Sequence, residues 1–207
     1  MKSVSRYHPL LVMLHWVLAF LIIGALIVGY FGLAATPNSA PQKVGILRVH
    51  MAAGMLILFL TGIRFVVRLR TPVPAEATTG YRLLDRIAPL SHYAFYLLVL
   101  LMVGSGYTTG ILAGLPAIVF GGSSAPLPPT FMIYPSWVAH GYLATLLVGF
   151  IILHVVAACY HQFVRKDGLF RRMSFGRRVP FSSTPYAGDP TAASPTLIDS
   201  PRPRAPR

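Results

Sequence analysis

Across 207 residues the chain is 55% hydrophobic and only 11% charged, with a mean hydropathy of +0.63. Soluble domains carry about a quarter charged residues, so this composition excludes that class and points to a membrane domain. Lysine and arginine outnumber aspartate and glutamate by 18 to 5, and on so apolar a chain the net +13 belongs with a membrane rather than with nucleic acid. The single cysteine, Cys159, excludes an internal disulfide, a CxxC zinc or redox site, a four-cysteine iron–sulfur cluster and a CxxCH attachment.

Four apolar stretches follow in chain order: Leu10–Leu33, Ile46–Leu69, Ser91–Leu115 and Trp137–Val164. Each exceeds the roughly 20 residues that cross a hydrocarbon core as a helix. The first follows Lys2 and Arg6 and precedes Ala34-Ala35, as a secretory signal would. Its apolar run is longer than the about 7–15 residues of a signal core, so it reads as a retained helix. All 18 prolines fall outside the four stretches, and Pro9, Pro37, Pro72, Pro89, Pro116 and Pro135 sit just beyond their ends. Proline removes a backbone donor that hydrocarbon cannot replace, so these residues mark the loops. The predicted fold is all-α, an integral membrane four-helix up-down bundle over residues 1–173. Residues 174–207 read as a disordered basic tail rich in Pro and Ser, with arginines available to anionic lipid.

If the helices alternate, sixteen cations share one side: those before the first helix, those at the end of the second (Arg64 and Arg68) and in the loop after it, and those after the fourth. The other side has only Lys43 and Arg48. The positive-inside rule then predicts that both termini are cytoplasmic, and discounting the cations beyond Arg178 still leaves 13 against 2.

Six of the seven histidines (His15, His50, His92, His140, His154 and His161) lie in the predicted spans, and all five acids lie outside them. Ionisable side chains in a membrane are functional candidates, with plain interhelical hydrogen bonding as the alternative for any one alone. His140 and His154 are 14 residues apart, which places them about 21 Å apart on nearly the same helix face. They cannot share a metal ion, but each can ligate a separate haem. His161 continues that face about 10 Å further on. By depth His50 is level with His140 near the outside, and His15 with His154 near the inside, giving two bis-histidine sites. A bare zinc or copper ion needs three or four convergent ligands, whereas a porphyrin supplies four nitrogens of its own and needs one or two axial ligands. Gly54 and Gly149 would make room for the rings, with ordinary close helix packing as the alternative. A histidine-based proton path or haem-free transporter is disfavoured by the absence of acids in the spans and of helices broken by Pro/Gly pairs.

From about Arg6 to Met173 the chain resembles the bacterial cytochrome b561 family, di-haem four-helix membrane cytochromes. The resemblance rests on an ordered set: His15-Trp16; His50, Gly54, Arg64 and Arg68; His92 with Tyr96; and His140, His154 and His161 followed by Lys166-Asp167 and Arg172-Met173. It implies that His15 and His154 ligate the iron of a cytoplasmic-side haem b, and His50 and His140 that of a periplasmic-side haem b. His161 matches a position near a ubiquinone pocket. His92 has three open roles: replacing His15 or His154 as ligand, bonding a haem propionate, or capping the third helix, with the non-ligand roles favoured. His8, before Pro9, reads as interfacial.

Transmembrane electron transfer in the bacterial inner membrane is the function this reading supports. The resemblance points to superoxide as donor and ubiquinone as acceptor, with a His161 imidazole to deliver a proton. Lys43 and Arg48 would draw in a small anionic donor or pair with propionates, ordinary interfacial anchoring being the alternative. A second reading is a haem b anchor and electron wire for a soluble dehydrogenase or periplasmic cytochrome. The charge-free loop Pro116–Pro135 is its candidate docking surface, with a plain connector as the alternative.

Overall fold

The computed structural model describes residues 5–74, 82–166 and 168–176, with the backbone alone for 82–89. Among the described residues all regular structure is helical. Helix α1 (Pro9–Ile27) runs on as a π-helical segment, Val28–Leu33. Then come α2 (Lys43–Arg70), α3 (Arg82–Leu112), the short α4 (Leu115–Val119) and α5 (Pro135–Cys159), which ends in a second π-helical segment, Tyr160–Val164. A four-residue helix, α6 (Leu169–Arg172), closes the described chain. Helices α1, α2, α3 and α5 are long and apolar enough to cross a membrane.

Large side chains on the outside show what solvent these helices need. Phe20 is 73% exposed, Phe31 78% and Tyr142 75%, a surface stable against lipid and not against water. Helix ends follow local chemistry. Pro9 and Pro135 occupy first-turn positions where no N–H is needed, and the His8 imidazole accepts a bond from Leu10 N–H at 3.3 Å. Helix α3 stops at Leu112, three residues before the predicted end, because Gly114 takes a left-handed φ of 65°.

The third helix also corrects the use of proline as a boundary. It starts at Arg82, so Pro89 lies within it. The charge-free apolar run begins only after Arg86, and at that edge water can satisfy the carbonyl a proline frees.

The described ends of the chain meet at one end of the bundle, called here the terminal end. Tyr7 N–H donates to Arg172 O at 3.2 Å, and Trp16 Nε1–H donates to Met173 O at 3.1 Å. Arg6 reaches Ser174 Oγ at 3.0 Å and the Phe175 carbonyl at 3.1 Å, so the first predicted tail residues are tied to the bundle. From residue 177 on, the predicted tail lies outside the described residues.

Helices α1 and α2 form one closely packed pair, and α3 and α5 the other. Leu18, Ile57 and Val99 build a small apolar core between the pairs. At the opposite, distal end Leu33, Leu47, Ala113, Leu115, Val119 and Phe131 form a second core. Lys43 is only 3% exposed there, and its Nζ donates to the Leu33 and Thr36 carbonyls at 2.5 and 2.6 Å. Leu33 ends the π-helical continuation of α1 and Thr36 lies in the turn just after it, so the buried ammonium satisfies carbonyls left unpaired where the helix stops.

Candidate functional site

Two levels of facing histidines lie between the helix pairs. At the distal level His50 of α2 faces His140 of α5, with ring centroids 6.2 Å apart. At the terminal level His15 of α1 faces His154 of α5, also at 6.2 Å. His92 of α3 approaches the same His154 ring at 6.3 Å. Metal–imidazole bonds are about 2 Å long, so two rings on opposite faces of one metal, each contributing its radius, have centroids about 6 Å apart. The spacing at both levels fits that arrangement. Among the described residues no three or more His, Cys, Asp or Glu side chains gather as a metal-ion site. The donor set therefore suits a metal that brings its own equatorial nitrogens.

The distal level has room and orientation. A cavity of about 450 Å³ is lined by His50, His140, Gly54, Gly106, Met51 and Trp137 among others, within the range of cofactor sites. His140 Nδ1 lies 2.9 Å from the Met102 carbonyl, which can only accept, so Nδ1 carries the proton and Nε2 is left with the free lone pair. Ser105 Oγ supports the same atom at 3.1 Å while donating to Met102 O at 2.9 Å. Trp137 lies nearly parallel to the His140 ring, with centroids 6.5 Å apart. His50 Nδ1 is buried, and the Ala25 backbone of α1 lies close enough to act on the ring.

Two glycines not singled out in the sequence hold these rings. A Cβ on Gly106 would lie 2.9 Å from His140 Cε1, and one on Gly29 would lie 3.5 Å from His50 Cε1. Of the two glycines chosen for space, Gly54 lines the cavity. Gly149 does not line it, and a Cβ there would meet nothing within 4 Å.

The terminal level is more crowded and more polar. Phe95 packs edge-on against His154 at 5.4 Å. Arg64 of α2 reaches this cluster, lying within electrostatic range of His15, His92 and His154, and Arg68 lies within that range of His92. Arg64 Nη1 donates to Tyr96 Oη at 2.6 Å, with the guanidinium carbon 5.6 Å from the Tyr96 ring centre. Since α3 begins at Arg82, His92 is more than two turns inside it and does not cap it. His161 falls in the second π-helical segment, next to Tyr160 with centroids 6.0 Å apart, so its direction does not follow from α-helical spacing alone.

At the distal surface Lys43 is committed to backbone carbonyls, while Arg48 remains exposed, with its Nε donating to Val119 O at 2.8 Å. Asn38 donates to Pro128 O at 2.7 Å, and Phe131 packs into the distal core. These contacts fold the loop between α4 and α5 back over the end of the bundle.

Four membrane-length helices that bring imidazoles face to face at two depths, over an apolar cavity, define the class of histidine-ligated membrane cytochromes. The chain belongs to the prokaryotic cytochrome b561 family, whose model matches residues 6–176. It is 30% identical to cytochrome b562 of Cereibacter sphaeroides over 181 residues, covering 84% of this chain and 98% of that one. Similarity extends to cytochrome b561 homolog 2 of Escherichia coli K12, at 26% identity over 82% of this chain and 91% of the relative. A protein from Yersinia pestis named probable superoxide oxidase CybB is 27% identical over 82% of this chain and 96% of its own length. The chain is thus a multi-pass bacterial membrane cytochrome, with b-type haem as the family's cofactor and membrane electron transfer as its role.

Proposed function

We propose that this protein oxidises a small anionic donor, superoxide, at its distal face and reduces ubiquinone near its terminal end, using two haems b. His50 and His140 would hold the distal haem iron, and His15 and His154 the terminal one. When bound, haem b supplies a one-electron iron couple, so two haems at two depths suit a donor and an acceptor on opposite sides of a membrane. The observation that carries this reading is the pair of 6.2 Å histidine spacings at opposite ends of one bundle.

The chain's own groups have distinct tasks. The Met102 carbonyl fixes the His140 tautomer, and Trp137 and Gly106 hold its ring in place. Leu18, Ile57 and Val99 keep the space between the levels apolar and dry. At the distal surface the folded-back loop favours a small donor over a docked protein, and exposed Arg48 attracts a negative one. His161 supplies an imidazole that delivers a proton to the quinone. The terminal end is taken as cytoplasmic from the bias of its lysines and arginines, which places the protein in the inner membrane. The relative named probable superoxide oxidase supports the choice of donor.

Stopped-flow mixing of the purified oxidised protein with superoxide tests this directly. Haem reduction by superoxide, followed by reoxidation on adding ubiquinone, is the expected result. No haem reduction would reject the donor, and a stable soluble partner retained through mild-detergent purification would favour the anchor-and-wire reading.

A further inference from the structure

Arg64 is the most unusual residue the proposed electron path does not yet employ. It lies fourteen residues beyond His50 on α2, about 21 Å along the helix and therefore at the terminal level. Its Nη1 is bonded to Tyr96 Oη, but its Nε is buried with no hydrogen-bond partner. Arg68, one turn on, adds a second positive charge beside His92. None of the chain's five acids has a described side chain, so among the described residues no carboxylate balances this pair.

An unpaired guanidinium donor shielded from water is costly, and an intramembrane arginine persists where something anionic meets it. The three histidines nearby bring no negative charge. A carboxylate or phosphate is the missing chemistry, since either accepts the planar, two-pronged donation an arginine offers.

We propose that Arg64, steadied by Tyr96 and assisted by Arg68, forms the anion clamp that receives a propionate carboxylate of the terminal-level haem. This rests on the two-haem reading above. The clamp makes Arg64 a positioning residue: it fixes the orientation of the haem in its plane, and its charge favours the reduced, less positive state of that haem. A phospholipid headgroup offers similar oxygens and is the competing source.

The test uses the full chain with its haems, in nanodiscs of purely zwitterionic lipid, comparing the parent with Arg64→Gln and Arg64→Lys. Resonance Raman scattering reads the propionate bending band, and redox titration reads the midpoint potential of each haem. In Arg64→Gln the band of one haem should shift and its potential should fall, the other haem being unchanged. Arg64→Lys should restore most of the potential, because the charge is kept, and leave the band shifted, because the fork is lost. Should the glutamine variant fail to assemble, the band in Arg64→Lys decides alone. Two haems with an unshifted band in Arg64→Lys would overturn the clamp. So would an Arg64-dependent binding of phosphatidylglycerol, seen by native mass spectrometry on adding that lipid, with the band unmoved. A parent chain holding one haem, lost on His50→Ala, would fail the two-haem reading itself and the clamp with it. That failure is recognisable before any Arg64 variant is made.

Discussion

The distal and terminal histidine levels share a ring spacing of 6.2 Å and differ in almost everything around it. The distal pair sits at a cavity of about 450 Å³, with one histidine fixed by a backbone carbonyl and no cation turned toward the rings among the described residues. The terminal pair is joined by a third histidine, an edge-on phenylalanine and two arginines. Equal spacing suggests one kind of cofactor at both levels, while the surroundings set different charge. Positive groups near an iron centre favour its reduced state, so under the proposed two-haem reading a haem at the terminal level would hold the electron more tightly than one at the distal level. That gradient runs from the proposed donor side to the proposed quinone side.

The comparison can be broken most severely by removing ligands. His140→Ala should lower the haem content from about two to about one per chain, measured by pyridine haemochrome against protein. His15→Ala should do the same at the other level, and the two variants should lose spectrally different haems. His92→Ala should keep both haems. If it loses one while His15→Ala keeps two, His92 is the terminal ligand and the third histidine has been misassigned.

Steric and electrostatic changes come next in size. Gly106→Ala sets a methyl 2.9 Å from His140 Cε1, and overpacking of this kind costs about 1–3 kcal/mol. Haem should therefore be lost from the distal level about tenfold more readily in a competition assay with apomyoglobin, with the terminal haem unaffected. Lys43→Met removes two bonds to the end of α1 and should destabilise the fold by about 1–3 kcal/mol, read as a lower thermal midpoint. Arg48→Gln should slow haem reduction by superoxide and flatten its dependence on ionic strength. The smallest effect belongs to Ser105→Ala, about 1 kcal/mol or less on distal haem retention, because the Met102 carbonyl still fixes the imidazole.

The long-range plan of the molecule was legible from hydropathy and histidine spacing. Fourteen residues between His140 and His154 are enough to set two depths, and the alternation of helices pairs each with a histidine on another helix. What spacing could not reveal depends on backbone detail. Gly106 and Gly29 look like any membrane glycine until the imidazole beside each is placed. Lys43 looks like a surface cation until the end of α1 is seen folding over it. Pro89 looks like a boundary because the rule assumes lipid on both sides, whereas it lies at the membrane edge. Both π-helical segments shift the face that α-helical spacing assigns, which is why the direction of His161 could not be counted out from His154. Arg64 stood in the sequence as one member of an ordered set; only the buried, unpaired Nε distinguishes it as an anion site.

The central claim is that one bundle carries two bis-histidine haems, one at each end. The reduced-minus-oxidised difference spectrum, taken with the haem-to-protein ratio on the parent, His140→Ala and His15→Ala, tests it most directly. Two haems b are expected in the parent and one in each variant, with difference spectra of the two variants summing to that of the parent. A parent with a single haem, or two variants that lose the same spectral component, would contradict it.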